Sequence, residues 1–489
     1  MVSPRWFGPL ALALVIGLVG LTEGALRFAG FAAPRQLFER VRTLDGRDVH
    51  RSVTNRFEAE RVMGRPLPVR EFPAAKGTGV VRIFVVGEST AFGYPFGPEG
   101  SFARFLELRL AAAAPQGRIA EVINAAAPGV SSEDVLEVVR EVLAYEADLV
   151  VVGVGQNEFI NHPWRGTSVW LDEVQIKLRR TAIHGALQRA ARSDVQPAGD
   201  DLKTFLNALS PLEASPLAPE DPRREHGLEF FRSRLERIVE AARARAVPLA
   251  FMTQASNLRD WKPFSGDAAA SAFTEAKSLD GAGRHTEALA AYRRARDLDG
   301  LPVRASTAIN DVIHQVASEG GAALIDVAAH ADAWARDGIP GSDLFLDDLH
   351  PRLPVQDRIA EALHRTLVQT KTLEWPLAPE SGQALATKNA LSGPALAAAF
   401  ADQAAYCARL GENDLAVEHF RAAERLALAA GPDARQTLVD ARLGLAIVLS
   451  RMGDVDGANA MLEATRPFAP ALVDAVSKQI ADEVRGAQK

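Results

Sequence analysis

The chain has a single cysteine, Cys407, among its 489 residues. One cysteine excludes an intramolecular disulfide, and the absence of paired Cys and His spacings excludes a zinc module. The chain also lacks an excess of basic residues: its formal net charge is -7 and its pI is near 5.9. This acidic balance argues against nucleic acid as a partner. Hydrophobic residues make up 47% of the chain, which is enough for sizeable cores in two or three domains.

Charged residues are also missing from an N-terminal stretch, Trp6–Thr22, which follows Arg5. Its length lies at the short end of the roughly 17–25 residues that span a bilayer. Positive charge before the stretch predicts that the rest of the chain lies outside the cytoplasm, in the periplasm if the source is a Gram-negative bacterium. A cleaved signal peptide is the alternative, but no small-x-small site follows. We therefore predict an uncleaved anchor at residues 1–32 and a linker or irregular lead-in at 33–79.

Gly87-Glu88-Ser89 directly follows the apolar run Val80–Val86. The run is rich in β-branched and aromatic residues, which predicts a buried parallel strand. A serine just beyond such a strand lies at the carboxyl edge of a sheet, where open α/β sheets bind ligands. Taken alone, this tripeptide is a weak signal, because many Gly-x-Ser segments that follow strands are ordinary turns.

Three more segments follow in an order that makes chemical sense. Asn124–Gly129 comes after a strand-like run and ends in a glycine whose backbone N–H is able to face a substrate. Asp148–Val154 is a second strongly apolar strand, and it brings Asn157 to the same sheet edge. Far downstream, an Asp-Asp-Leu-His segment at 347–350 precedes a short helix, in a position typical of a site loop.

Together these four blocks resemble the SGNH (GDSL-type) hydrolase family. The matching residues, in block order, are Ser89, Gly129, Asn157, and His350 with Asp347. The resemblance covers roughly residues 80–260 and 301–367. It implies a parallel five-stranded sheet flanked by helices, flavodoxin-like in three layers. It also implies ester cleavage that needs no metal or organic cofactor.

Each matched residue type suits the chemistry. A serine hydroxyl is a poor nucleophile until a base takes its proton, so Ser89 needs a histidine within reach, here His350. The imidazole needs a carboxylate to fix its tautomer, which Asp347 is able to supply from the same turn. The oxyanion of acyl transfer needs preorganised donors: the N–H groups of Ser89 and Gly129 and the side-chain amide of Asn157.

Two positions depart from the family pattern. The usual aspartate before the serine is Glu88, and the usual aspartate after the block-three asparagine is Glu158. No Gly-x-Ser-x-Gly elbow exists at Ser89, which disfavours an α/β-hydrolase. Asp311 and His314 repeat the Asp-x-x-His spacing, but an apolar helical stripe puts them on the opposite, solvated face.

A short pattern recurs three times along the chain. A glycine is followed at fixed spacing by a small, a bulky and another small residue: Gly283, Ala288, Tyr292, Ala295; Gly411, Ala416, Phe420, Ala423; and Gly453, Ala458, Leu462, Thr465. The pattern resembles tetratricopeptide repeats. It predicts an inserted helical hairpin at 263–300 and C-terminal helical repeats at 385–489. These either pack on the hydrolase domain at 80–262 and 301–370 or stack on each other.

These observations predict a membrane-anchored, extracytoplasmic serine esterase with appended helical repeats and a candidate lid at 163–225. O-acetyl groups on a carbohydrate are suggested as the substrate only by analogy. Two alternatives stay open. The same triad could pass an acyl group to a sugar hydroxyl, as an O-acyltransferase of an envelope polysaccharide. The repeats could instead dock a protein partner beside a non-catalytic α/β domain.

Overall fold

In the computed structural model, the chain forms two compact units. One comprises Met1–Gln36 and Pro163–Gly199, and the other comprises Leu37–His162 and Asp200–Lys489. The structure describes residues 4–29, 36–53, 67–160, 168–179, 181–183, 186–187, 216–378 and 391–487. Much of the predicted lid at 163–225 lies outside the described residues, so the lid stays a prediction.

The secondary structure alternates between strands and helices up to residue 369 and is helical beyond it. The described strands are β1 Phe38–Arg42, β2 Asp48–Ser52, β3 Glu71–Pro73, β4 Val80–Gly87, β5 Ile119–Asn124, β6 Leu149–Gly153, β7 Leu249–Met252 and β8 Ala323–Ile325. The described helices of the first part are α1 Pro4–Phe28, α2 Ser89–Phe92, α3 Phe102–Ala112, α4 Ser132–Val142, α5 Val169–Arg179, α6 Pro222–Arg243, α7 Asp267–Gly281, α8 His285–Asp297, α9 Thr307–Gly320, α10 Val327–Trp334 and α11 Leu353–Gln369. The C-terminal helices are α12 Gly393–Arg409, α13 Asn413–Ala430, α14 Arg435–Arg451, α15 Val455–Thr465 and α16 Pro470–Ala487.

The predicted five-stranded parallel sheet is confirmed. Its strand order is β5-β4-β6-β7-β8, and every neighbouring pair is parallel. Side chains of β4 alternate between the two faces: Ile83 and Val85 enter one core, and Phe84 and Val86 enter the other. This order is that of flavodoxin-like folds, in which ligands bind outside the carboxyl ends of the strands.

Helices cover both faces of the sheet. Helices α3, α10 and α11 pack on one face, with Phe105 and Leu363 fully buried. Helices α4, α6 and α9 pack on the other, with Leu136, Leu235 and Ile313 buried. Each such side chain stabilises the folded chain by about 1.5–3 kcal/mol on burial. The two cores therefore fix the position of the sheet and of the loops at its carboxyl edge.

The predicted linker at 33–79 is wrong for much of its described part. Strands β1, β2 and β3 form a three-stranded antiparallel sheet in that segment. Phe72 is buried there and makes edge-on ring contacts with Phe38 at 5.1 Å and with Phe84 of the main sheet at 5.4 Å. The three strands are short and mostly polar, with only a few buried apolar side chains. Their composition therefore resembles that of a linker.

Helix α1 contains an apolar segment, Gly8–Phe28. On length and composition alone, it is the one candidate for a membrane span in the part of the chain that the structure describes. A signal sequence would have the same properties, so the anchor stays a prediction. In the same compact unit, Glu23 accepts hydrogen bonds from the backbone N–H groups of Ala182 at 2.8 Å and Ile183 at 3.1 Å.

Helical hairpins occur where the repeated pattern lies: α7–α8, α12–α13 and α14–α15. The turn glycines all have positive φ, 74° at Gly283, 78° at Gly411 and 84° at Gly453, a left-handed conformation that favours glycine. The small and bulky positions of the pattern are buried in the second helix of each hairpin. The hairpins agree with the sequence pattern, whereas the tetratricopeptide assignment and a protein partner for it stay predictions.

Candidate active site

Ser89 begins the short helix α2, two residues beyond the end of β4. Gly87 pairs with Gly153 of β6, and a Cβ atom at Gly87 would overlap the carbonyl oxygen of Gly153 and lie 2.8 Å from the Cβ of Ala91. The close approach of the two strands therefore requires glycine at position 87, whereas a Cβ atom at Gly153 would make only ordinary contacts. The backbone N–H of Tyr94 donates to the Ser89 carbonyl at 2.9 Å, which closes a tight turn around the serine.

Ser89, His350 and Asp347 form a continuous hydrogen-bonded chain. The Nε2 atom of His350 lies 2.9 Å from the Ser89 Oγ, and its Nδ1 atom lies 2.6 Å from the Asp347 Oδ2. A carboxylate only accepts, so Nδ1 carries the ring proton and Nε2 can accept the serine proton. The structure thus brings together the three residues that the sequence predicted as nucleophile, base and acid.

The Asp347 carboxylate is buried and fully engaged. Its Oδ1 accepts the backbone N–H groups of Leu349 at 2.9 Å and His350 at 2.7 Å, so the acid and the base share one tight loop. Burial opposes the charge, but attraction to His350 and the hydrogen bonds outweigh it and lower the pKa of Asp347. The carboxylate is therefore ionised at neutral pH and able to stabilise an imidazolium.

Three loops meet at the carboxyl edge of the sheet. The N–H of Glu88 donates to the Gly153 carbonyl at 3.1 Å, and the N–H of Ala127 donates to the Gly87 carbonyl at 3.0 Å. These bonds continue the strand pairing beyond β4, β5 and β6. Blocks one, two and three therefore lie side by side.

The predicted oxyanion donors lie on these three loops. Ser89, Gly129 and Asn157 are partly exposed, whereas His350 and Asp347 are buried. Gly129 has a φ of 71°, which favours glycine at this turn. The Asn157 side-chain amide donates to the carbonyl of the residue after Gly129 at 3.0 Å, which orients it and leaves its second N–H for a ligand.

Glu88 and Glu158, the two departures from the family pattern, join the loops to one another. Glu88 accepts the backbone N–H groups of Gln156 at 2.8 Å and Asn157 at 3.2 Å. Burial, reinforced by repulsion from Glu158, raises the pKa of Glu88 to about 8. Glu158 accepts the N–H and the hydroxyl of Ser132, both at 2.7 Å, and burial raises its pKa to about 7. Each carboxyl group thus fixes a loop that carries a candidate oxyanion donor.

Residues without a role in the sequence-based predictions also touch the site. The ring of Tyr94 lies 4.6 Å and that of Tyr406 lies 5.3 Å from the His350 ring, measured between centroids. Gln403 donates to Asp347, and Tyr406 donates to Asp348. Gln403 and Tyr406 belong to helix α12, which no catalytic motif in the sequence marks.

One group of side chains among the described residues has the composition of a metal site. The ligand atoms of Asp347, Asp348 and His350 lie within 4.8 Å of one another. Both ring nitrogens of His350 and both Asp347 oxygens are already engaged in the hydrogen bonds given above. Their arrangement fits proton transfer to and from Ser89 better than it fits metal ligation.

The second Asp-x-x-His pair lies elsewhere. His314 is on α9, with its Nε2 3.3 Å from the Asp326 carboxylate, and its side chain is 43% exposed. The predicted solvated position is confirmed, but the partner of His314 is Asp326 and not Asp311. Asp326 directly follows β8, and β8 packs against α9, which brings the Asp326 carboxylate to His314.

Comparison with known proteins agrees with the motif order. The model of the GDSL-like lipase/acylhydrolase family matches residues 85–354, which is more than half of the chain. No curated protein matches the chain.

Solved structures of low identity are also similar to it. A G-D-S-L family protein from Desulfitobacterium hafniense is 13% identical, with 59% of this chain and 99% of that chain covered and a TM-score of 0.32. A catalytic mutant of the acetylxylan esterase Axe2 from Geobacillus stearothermophilus is 16% identical, with coverages of 61% and 97% and a TM-score of 0.30. The esterase EstA from Pseudoalteromonas is 13% identical, with coverages of 60% and 99% and a TM-score of 0.31. Likenesses at this level carry no argument about substrate.

Proposed function

Because the chain belongs to the GDSL-like lipase/acylhydrolase family and is a hydrolase of ester bonds, we propose that it works through a Ser-His-Asp triad. Ser89 is the nucleophile, His350 the base and Asp347 the residue that orients the base. The observation that carries this proposal is the pair of hydrogen bonds, 2.9 Å and 2.6 Å, that connects the three side chains. Gly129 and Asn157 join the Ser89 N–H as oxyanion donors.

The proposed reaction has two steps. The Ser89 oxygen attacks the ester carbonyl while its proton passes to Nε2 of His350. The tetrahedral oxyanion collapses, the C–O bond to the alcohol breaks, and His350 returns the proton to the leaving alkoxide. Water then attacks the acyl-enzyme, with His350 again taking and returning a proton, and releases the carboxylic acid. Each oxyanion donor stabilises both tetrahedral states, typically by about 3 kcal/mol.

The proposed substrate is a small acyl ester on a carbohydrate, met by an enzyme anchored outside the cytoplasm. The apolar segment Gly8–Phe28 supports the anchoring, on length and composition alone. Acetate release from an acetylated polysaccharide, compared with fatty-acid release from a long-chain ester, tests the substrate. Adding an acceptor glycan separates hydrolysis from acetyl transfer, because transfer would move the acetyl group without releasing acetate.

Covalent labelling tests the nucleophile. The detergent-solubilised full chain is treated with a fluorophosphonate probe as wild type, as Ser89→Ala and as Ser278→Ala, a matched change at an exposed position of helix α7. We expect the label on the wild type and on Ser278→Ala and none on Ser89→Ala. Absence of label on all three proteins, or labelled Ser89→Ala, would refute the proposal.

A further inference from the structure

We infer that the C-terminal helices complete the active site and that Gln403 of α12 is a positioning residue for the triad. Its side chain holds the Asp347 carboxylate, and through it His350, in the geometry that the reaction needs. This inference rests on the proposed Ser-His-Asp chemistry. It gives helices α12 and α13 a role in positioning the triad, in addition to the docking role predicted for the repeats.

The Gln403 amide makes a direct bond to the triad acid. Its Nε2 atom donates to Asp347 Oδ2 at 2.8 Å, and this is the same oxygen that accepts the Nδ1 proton of His350 at 2.6 Å. The amide must present its N–H side here, because its carbonyl would repel the carboxylate. Gln403 therefore sets both the direction and the charge density of the oxygen that orients the base.

Packing alone does not account for a glutamine at this position. Gln403 is fully buried, and its Oε1 has no hydrogen-bond partner among the described residues. A buried carbonyl without a partner is costly, whereas an apolar side chain of similar size would fill the space without that cost. The compensating interaction is the bond to Asp347.

Tyr406, one helical turn further along α12, supports the same loop. Its hydroxyl lies 3.3 Å from Asp348 Oδ1, and its ring packs edge-on against His350. Burial and the neighbouring charge of Asp347 raise the pKa of Asp348 well above its usual value. This shift favours the neutral form of Asp348 and so reduces the negative charge that competes with Asp347 beside the imidazole.

Two further contacts join the C-terminal helices to both halves of the triad. The Tyr94 hydroxyl, five residues after Ser89, donates to the backbone carbonyl of Asp402 at 2.7 Å. His419 of α13 donates from Nε2 to the carbonyl of Leu346, at 3.2 Å, next to the triad acid. Burial lowers the pKa of His419, so its ring is neutral at physiological pH. Helices α12 and α13 thus hold the nucleophile segment and the acid-base segment together.

Loss of the Gln403 donor has a defined electrostatic result. Asp347 Oδ2 would then accept from His350 alone, with greater charge density and more freedom to rotate. A carboxylate of greater charge density attracts the imidazolium more strongly, so we expect the acidic limb of kcat/KM to move to higher pH. Other titratable or charged groups surround the dyad from five segments: Asp348 on its own loop, Tyr94, Tyr406 and Cys407, His419, and Arg304.

The test uses three variants of the full chain with a chromogenic acetyl ester. Gln403→Met keeps the side-chain length and removes the donor. Gln403→Glu restores a donor only while its buried carboxyl group holds a proton. Gln479→Met is the matched control, since Gln479 on α16 donates in the same way to Glu483 at 2.7 Å. Thermal unfolding of each variant measures folding separately.

We expect Gln403→Met to lose about tenfold in kcat with little change in KM, and to shift the acidic limb of its pH profile upward. Gln403→Glu should recover activity at neutral pH and lose it at alkaline pH, while Gln479→Met matches the wild type. The inference is overturned if Gln403→Met keeps kcat and pH profile within twofold of the wild type. It is also overturned if the loss of activity of Gln403→Met equals its loss of folded protein and the acidic limb of its pH profile does not shift. An inactive, unlabelled wild type would instead overturn the proposed function itself.

Discussion

Replacing Asp347 with asparagine isolates the role of this side chain in fixing the histidine tautomer. The asparagine carbonyl can still accept the N–H groups of Leu349 and His350, so the loop keeps its hydrogen bonds. Its NH2 group then occupies the place of Oδ2, facing His350 Nδ1 and the Gln403 amide. An NH2 group cannot accept, so the ring proton moves from Nδ1 to Nε2. In that tautomer His350 is unable to take the Ser89 proton.

The structure predicts a large loss of activity and a smaller loss of stability. A wrong tautomer in a Ser-His-Asp triad lowers kcat by about 10⁴, which is roughly 5.5 kcal/mol of transition-state stabilisation. The lost bond from Gln403 and the opposed N–H groups lower the free energy of unfolding by about 1–3 kcal/mol. The catalytic loss therefore exceeds any loss that follows from partial unfolding.

The assay compares kcat and KM of Asp347→Asn with those of the wild type on the same chromogenic ester. Thermal unfolding of the detergent-solubilised proteins checks that both are folded. Ser89→Ala sets the background rate, because it removes the nucleophile and leaves the dyad intact. A folded Asp347→Asn protein with kcat within tenfold of the wild type would refute the assigned role of Asp347.

Two further changes test how the sheet edge is built. The pKa of Glu88, about 8 in the folded chain against 4.5 for an ordinary glutamate, means that the free energy of unfolding falls as pH rises through this window. Glu88→Gln should flatten this dependence in urea unfolding between these pH values, and an unchanged slope would contradict it. Gly87→Ala should cost more than about 3 kcal/mol through collision with Gly153, whereas Gly281→Ala, at an open position of α7, should be neutral or stabilising by up to about 1 kcal/mol. Equal melting temperatures for these two variants would contradict the prediction, because they would show that β4 and β6 can move apart to accommodate a Cβ atom at position 87.

Much of the sheet could be predicted from the sequence because its strands are buried on both faces. Runs such as Val80–Val86 and Asp148–Val154 are almost continuously apolar, which sets them apart from helices and turns. The antiparallel strands β1 to β3 have no such run, and only isolated side chains such as Phe38 and Phe72 reach the core. A few buried positions in short polar segments leave no periodic signal.

The local parts of the site were predictable for a similar reason. The Asp347 carboxylate bonds to His350 three residues away, so the spacing in the sequence is itself the geometry. The clamp that Glu88 makes on Gln156 and Asn157 depends on the pairing of β4 with β6. The sequence shows that Glu88 has a longer side chain than the usual aspartate. The backbone N–H groups that this side chain contacts are known only from the register of the strands.

The contact of α12 with the active site could not be predicted from a local motif. One feature of the sequence is nevertheless related to it. Ala399, Gln403 and Cys407 are spaced four apart and form one buried stripe of the helix. A glutamine within an apolar stripe requires a polar partner across the packing interface, because a buried amide left unpaired is costly. Sequence alone gives the need for that partner and not its identity, since Asp347 lies 56 residues away and is reached only through the docking of the helix. Buried polar residues in appended helical segments therefore point to the surfaces through which those segments act.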